Sequence, residues 1–362
     1  MRIVIFGLSI TSSWGNGHAT NYRALVRELA GRGHDVLFLE RDMPWYSENR
    51  DLPEPPWGRT VLYDSLDELK LHFAPDVRDA DAVIAGSFVP DGIAVTDWAQ
   101  AHATGATVFY DIDTPITLAA LGRGDCAYLE ARQVPSFDLY LSFTGGPILE
   151  RLAELGARRP LPFYCFVDPD AHRPRDLPTR WDVGYLGTYS DDREPIVQRL
   201  LVEPARAAPE LRFVIAGPGH PTAGLPDNVE LVEHVAPPDH GHFYASQRFT
   251  LNATRQAMSA AGWSPSVRLF EAAACAVPVI SDPWEGLDAI FRPGEEIIVA
   301  HDGDDVLRVV RQMDETSRRA IGLRARQRVL DGHTAARRVD LLEEELQAVR
   351  RSRTARRREA LL

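Results

Sequence analysis

The densest chemistry in the chain lies in SPSVRLFEAAACAVPVISD, residues 264–282. Ser264 or Ser266 can cap a short helix that carries Arg268 and Glu271, and the small Ala272, Ala273, Ala274 and Ala276 let that helix lie close on a sheet. A helix N-terminus gathers unpaired amides and positive potential, which suits a diphosphate. A carboxylate one turn further on can accept hydrogen bonds from a ribose cis-diol. The same residues also describe a well-capped helix with a solvated glutamate. A second cluster is the loop Ser12-Ser13-Trp14-Gly15-Asn16-Gly17-His18, which leads from a strand into a helix. Gly15 and Gly17 permit close backbone approach. An imidazole titrates near neutral pH, so His18 can serve as a base toward a hydroxyl or help to hold a phosphate. A lone histidine is equally at home in a core. The third cluster is Asp111-Ile112-Asp113-Thr114-Pro115. Alternation along a strand turns its two carboxylates to opposite sides, which argues against a shared metal ion. Asp113 is then an acceptor-side acid or base, or the cap of a helix that opens at Pro115, while Asp111 reads as structural.

One further pattern competes for the first loop. GNGHAT has the form G-x-G-x-x-T, and Glu40 falls where the ribose-binding acid of a nicotinamide enzyme would stand. The third glycine is missing, and the motif begins eight residues after Gly7 instead of directly off the strand.

These groups need elements to hold them, and the chain supplies strands alternating with amphipathic helices. Ile3–Phe6, Val36–Leu39, Ala82–Ala85, Thr107–Tyr110, Leu139–Leu141 and Leu161–Tyr164 are short apolar runs suited to strands buried on both faces of a parallel sheet. Tyr22, Leu25, Val26, Leu29 and Ala30 mark an intervening helix by their spacing. Residues 42–60, rich in Pro and Trp, read as an excursion from the core. The proline-rich, charged segment 165–180 reads as a linker. A second run follows at 183–187, 211–217, 229–232, 249–252, 277–280 and 297–299, and the last ~55 residues are helical and charged. The expected organisation is an N-terminal Rossmann-like acceptor-side domain over 1–164, a linker over 165–180 and a C-terminal Rossmann-like donor domain over 181–330. A C-terminal helix over 331–362 then braces the N-terminal domain and ends in a basic tail. Two such domains would face each other across an inter-domain cleft, one substrate to each.

Composition narrows the function classes. The 362 residues are 44% hydrophobic and 25% charged, as in ordinary globular proteins. A net charge of −12 speaks against nucleic acid as partner. No window is apolar enough to span a membrane and no leader is visible, so a cytoplasmic location without stable membrane insertion is expected. Cys126, Cys165 and Cys275 are too scattered for a disulfide framework or a zinc site. Arg350, Arg351, Arg353, Arg356, Arg357 and Arg358 form a tail that could touch an anionic membrane surface weakly or simply be solvated.

The run SPSVRLFEAAACAVPVISDPWEGLDAIFRPGEEIIVAHD, residues 264–302, resembles the donor-site signature of GT-B glycosyltransferases, closest to the CgeB-like branch of the family 1/4 superfamily. GLSITSSWGNGHATNYRAL, DIDTP and VDPDAHRP resemble that branch too. The resemblance implies a hexosyltransferase-like enzyme that needs no metal or cofactor. It would use a nucleotide-sugar donor, UDP- or dTDP-linked, and an acceptor hydroxyl on a surface glycan, lipid or small molecule. By position, Glu271 would bind the ribose, and the amides of Ser266 and Val267 would meet the diphosphate beside Arg268. Gly187, Thr188 and Tyr189 match the family's glycine loop. Asn252, Arg255 and Gln256 would face the cleft, with Arg255 neutralising phosphate charge. His18 and Asp113 are the candidate catalytic groups, with Gly15, Asn16 and Gly17 in the acceptor-side loop. One departure is plain: many retaining members carry a second glutamate eight positions before the first, and here that position is Trp263. Asp282, Trp284 and Glu285 are weaker candidates for contact with the sugar. Asp168 and Asp170 are expected to fix the linker, and His240 and His242 to start a helix. Rival readings are a sugar-nucleotide epimerase of the same fold, a non-catalytic sugar-nucleotide-binding protein, and the nicotinamide oxidoreductase.

Overall fold

The computed structural model describes residues 1–359, with side chains through Ala355. The chain divides into two units: Met1–Tyr164 together with the segment from Ala335 onward, and Cys165–Thr334.

The first unit is built on seven parallel strands: β1 Arg2–Gly7, β2 Asp35–Arg41, β3 Arg59–Tyr63, β4 Ala82–Gly86, β5 Ala106–Asp111, β6 Leu139–Ser142 and β7 Pro160–Pro162. Their order is β3-β2-β1-β4-β5-β6-β7. The chain therefore winds outward from β1 one way and then the other, with a switch between β1 and β4. Ile3, Val4, Ile5 and Phe6 are all buried because helices cover both faces of β1. Each such side chain contributes about 1.5–3 kcal/mol on leaving water. Val4, Phe6, Leu37, Leu39 and Val83 pack with Val95 and Trp98 into one core. β3 lies within and beyond the stretch expected to be irregular, and the excursion itself is only the helix Pro44–Ser47 and its flanks. As an edge strand β3 is only half-buried, so its apolar signal is weak.

The last long helix, Ala335–Glu359, belongs to this unit and packs on the helix His18–Gly31. Its own Val339, Leu342 and Leu346 are buried. Arg32 bridges Asp340 at 2.7 Å and Glu343 at 2.8 Å, and His34 reaches Glu343 at 2.6 Å. The basic tail is partly tied down, since Arg350 pairs with Asp81 at 3.4 Å and Arg353 with Asp138 at 3.2 Å. The side chains of Arg356, Arg357 and Arg358 lie outside the described residues. No described helix is long and apolar enough to cross a membrane.

The second unit carries six parallel strands: β8 Trp181–Leu186, β9 Phe213–Ala216, β10 Val229–Val232, β11 Gln247–Asn252, β12 Val279–Ser281 and β13 Ile298–Val299. Their order is β10-β9-β8-β11-β12-β13, the same winding on a smaller scale. Val183, Tyr185, Phe213, Ile215, Phe249 and Leu251 form its core. The segment read as a linker begins inside this unit. Phe166 and Val167 are buried, the Val167 amide bonds the His333 carbonyl at 3.0 Å, and the Asp168 carboxylate takes the Asp170 amide at 2.9 Å. The apolar Cys-Phe-Val ahead of the prolines explains the anchoring.

Candidate active site

At the carboxyl ends of β8 and β11, the second unit brings four of the expected residues together. The helix Val267–Ala274 starts at Ser266, and no side chain caps it. The Ser266 hydroxyl instead donates to the Asn252 Oδ1 at 2.7 Å, which leaves the first-turn amides without a side-chain acceptor. Asn252 is fully buried: its amide donates to Thr254 and Ser281, and its oxygen also accepts from Arg268 at 3.3 Å. It thus ties Ser266, Arg268, Thr254 and Ser281 together from beneath the loop. Arg268 is buried too. Its guanidinium lies 4.7 Å from the centre of the Tyr185 ring and donates to the Leu186 carbonyl. A Cβ at Gly187 would come within 2.5 Å of the Arg268 guanidinium, so glycine there is what admits the arginine. The next loop crosses close by: at Gly217, φ is +135° and a Cβ would strike the Gly187 carbonyl at 2.2 Å. His220 fixes the glycine loop with a 2.8 Å bond to the Gly187 carbonyl, and the Tyr189 amide bonds the Pro218 carbonyl at 2.9 Å.

Around this loop stand three guanidinium groups. Arg193 donates to the Thr188 carbonyl at 2.7 Å. Burial pushes its pKa down, and the positive charges of Arg268 and Arg255 push the same way. Arg255, half-buried at the head of the helix Gln256–Ala261, makes no ion pair or side-chain hydrogen bond among the described residues. Like charges held together are costly until an anion neutralises them.

Glu271 sits one turn into the helix and is buried. Tyr244 donates to its Oε2 at 3.0 Å, His240 Nδ1 stands 3.6 Å from the same oxygen, and His172 Nε2 stands 3.6 Å from Oε1. Burial pushes this carboxyl up, but the two histidines and the tyrosine hydroxyl outweigh it and hold it at about 2. Glu271 is therefore an ionised carboxylate with spare acceptor capacity. His240 does open a helix, as its sequence position suggests, but its ring is turned to Glu271. Asp282 is buried, and its Oδ1 accepts from the Thr254 amide and hydroxyl at 3.0 and 2.9 Å. Trp263 stands on left-handed backbone at φ 50°, and its indole packs so near Gly286 that a Cβ there would lie 2.4 Å away. Glu285 gives its carbonyl to the Trp263 amide, and Trp284 is buried.

In the first unit, His18 opens the helix His18–Gly31, with its amide bonded to the Asn16 Oδ1 at 3.0 Å. Its Nε2 lies 3.2 Å from the Asp113 Oδ2. The two candidate catalytic residues, 95 positions apart, are thus a pair. His18 is held edge-on to Phe88, and its Nδ1 is buried without a hydrogen-bond partner. Asp113 stands at the cap position of the helix Thr114–Arg123, but its side chain caps nothing and goes to His18. Its carboxylate is the more open of the two groups, 22% exposed against 10%. Asp111 turns inward and accepts from Tyr140 at 2.6 Å and Thr117 at 2.7 Å, so the two carboxylates serve different partners. Burial, with Asp113 adding, pushes Asp111 up to about 6 against the opposing hydrogen bonds. Glu40 is fully spent on the loop after β1: Ser9, Thr11 and the amides of Ile10 and Thr11 all bond it within 3.0 Å. No oxygen is left for a nicotinamide ribose, which removes the best support for that reading.

Residues 193–344 match the family model described as glycosyl transferase-like. No curated protein matches the chain by sequence. Solved structures do match over nearly its whole length. HepE from Anabaena, in complex with UDP and glucose, aligns with a TM-score of 0.72 at 12% identity, covering 96% of this chain and 100% of that one. Sucrose-phosphate synthase from Thermosynechococcus elongatus aligns at 0.68 and 15% identity, covering 96% and 99%. A structure assigned as a UDP-N-acetylglucosamine 2-epimerase from Listeria monocytogenes aligns less well, at 0.56 and 12% identity over 94% of each chain. The chain has the GT-B glycosyltransferase fold.

For a GT-B chain, the residues that sequence reasoning missed are Arg193, His220, His172 and Tyr244. Arg193 hides in the charged run SDDREP, and His220 in the turn GPGHP. Nothing local marks His172 or Tyr244, which meet Glu271 only through the fold. Gly15 has φ +60°, whereas Gly17 has an ordinary helical φ and open space around it. Glycine at 17 is therefore not required by the fold itself.

Proposed function

We propose that this GT-B chain is a hexosyltransferase of the CgeB-like branch that moves a sugar from a UDP- or dTDP-sugar to an acceptor hydroxyl. The observation that carries this reading is the Arg193, Arg255 and Arg268 cluster around the Gly187–Tyr189 loop, none of which makes an ion pair among the described residues, beside the open helix N-terminus at Ser266. That arrangement suits the charge that grows on a nucleoside diphosphate as it leaves. Arg255 supplies the direct phosphate contact, and Arg268 acts from beneath the loop as a fixed charge. Glu271, ionised and poor in close partners, accepts the ribose hydroxyls. The presence of UDP with HepE supports uridine as the base.

Acceptor activation falls to the His18–Asp113 pair. With the Nε2 proton of His18 aimed at Asp113, the more open carboxylate is left to receive a hydroxyl proton. Divergence of Asp111 and Asp113 supports chemistry without a metal ion at that motif. Trp263, in place of a second glutamate, presents an aromatic face where the resembled family has an acid. Contact there would be by apolar packing against the sugar and not by charge.

The test is a thermal-shift panel with UDP, dTDP, GDP, ADP, CMP and NAD, followed by turnover assays with and without acceptors. A ligand that binds only the folded chain raises the midpoint. The expected result is a shift with one nucleoside diphosphate, reduced in Glu271→Gln. A shift with NAD alone would overturn the reading, and conversion of the nucleotide sugar without any acceptor would make the chain an epimerase.

A further inference from the structure

We propose that His172, His240 and Glu271 form a binding site for a single transition-metal cation of the zinc class, and that the metal and the donor ribose compete for Glu271. One potential ligand atom from each residue lies within 4.8 Å of the other two. Both histidine–carboxylate spacings are 3.6 Å. Tetrahedral zinc bonds of about 2.0–2.2 Å separate neighbouring ligand atoms by about 3.3–3.6 Å. Each spacing matches the upper end of that range, but they run to different oxygens, His172 to Oε1 and His240 to Oε2, so one ion needs a bidentate hold or a small turn of the carboxylate. His172 is 5% exposed, yet neither of its ring nitrogens has a hydrogen-bond partner, and the His240 Nδ1 has none either. Buried imidazole nitrogens are seldom left unsatisfied. Here two residues leave them unsatisfied beside one carboxylate, which is the arrangement a cation completes. Tyr244, donating to Oε2, orients the carboxylate as an outer partner does in metal sites.

The donor set decides the ion. Two imidazoles and one carboxylate suit zinc and its neighbours, whereas magnesium and calcium prefer oxygen alone. Three protein ligands leave a fourth position for water. His240 gives the approach, its side chain being 17% exposed against 5% for His172 and 4% for Glu271.

Only the competition clause rests on the donor reading. The metal clause is tested without nucleotide. The chelator-treated full chain is titrated with Co2+, followed by visible absorption, and with Zn2+, followed by calorimetry. We expect one equivalent of tetrahedral cobalt, displaced by zinc. Affinity should weaken roughly tenfold or more in both His172→Ala and His240→Ala. Absence of a tetrahedral cobalt spectrum in the unaltered chain overturns the site whatever the variants do, as does zinc uptake unchanged in both. UDP is then titrated with and without saturating zinc. A roughly tenfold weaker UDP affinity supports competition, and an unchanged affinity overturns it. Zinc binding in a chain that binds no nucleotide at all would leave the metal site standing and count against the donor reading.

Discussion

Asp111 and Asp113 show how two identical side chains, two positions apart, acquire different work. Asp113 stays partly open and meets His18, whereas Asp111 is buried under Tyr140 and Thr117. The raised Asp111 value, about 6 against an ordinary ~3.9, has a defined sign. Its protonated form is favoured in the folded state, so its contribution is complete below about pH 4 and is lost as pH rises through 6. The shift corresponds to about 3 kcal/mol. Urea unfolding at pH 4, 5 and 7 should therefore show Asp111→Asn gaining on the unaltered chain by about 2–3 kcal/mol across that range. A constant difference would refute the assignment. For the pair itself, His18→Ala and Asp113→Asn should each lower kcat about 100-fold with little change in donor KM. The double variant should lose little more, because the two act as one unit. Additive losses would show that they act separately. The residue types were legible in the sequence, as were Glu271, Ser266 and Arg268. Their partners were not, because His172, Tyr244 and Arg193 reach the site through tertiary packing that no local spacing encodes.

At the scale of elements, the site is made by strand ends that come close enough for loops to touch. The approach of the loops after β8 and β9 depends on Gly217, with its positive φ and the Gly187 carbonyl beside it. Gly217→Ala should destabilise the fold by about 1–3 kcal/mol and weaken nucleotide binding with it. Gly17→Ala, with helical φ and free space, should leave the thermal midpoint unchanged. Loss of activity there without loss of stability would mark close approach of a substrate, and loss of stability would contradict the geometry. The buried strands β1, β2, β4, β5 and β8 announce themselves as apolar runs. The edge strand β3 does not, since only one of its residues is buried. The start of the helix at Ser266 was legible, but the partner of its hydroxyl was not. Ser266 sits at the cap position, but the buried Asn252 oxygen claims its hydroxyl.

For the whole molecule, the two parallel sheets follow from strand–helix alternation and were legible, whereas the strand order depends on which way each crossover turns and was not. The anchoring of residues 165–172 was not, because prolines dominate that segment and its three apolar residues are easily passed over. The chain carries a net charge of −12, yet its proposed donor is an anion. Binding must then depend on the local arginine cluster against an unfavourable overall field. UDP affinity should fall as salt rises from about 50 mM to 500 mM, because the attraction acts over distances that salt screens. An affinity insensitive to salt would point to base and ribose contacts as the main source of binding.

The most direct test of the donor site is calorimetric titration of UDP into the unaltered chain and into Arg255→Ala. Arg255 has no partner among the described residues and only adds to the like-charge repulsion there, so its removal should not lower the unliganded thermal midpoint. Loss of a charge-assisted phosphate contact should weaken UDP about 10- to 100-fold. UDP binding of equal strength in both chains would contradict the placement of the diphosphate at this cluster.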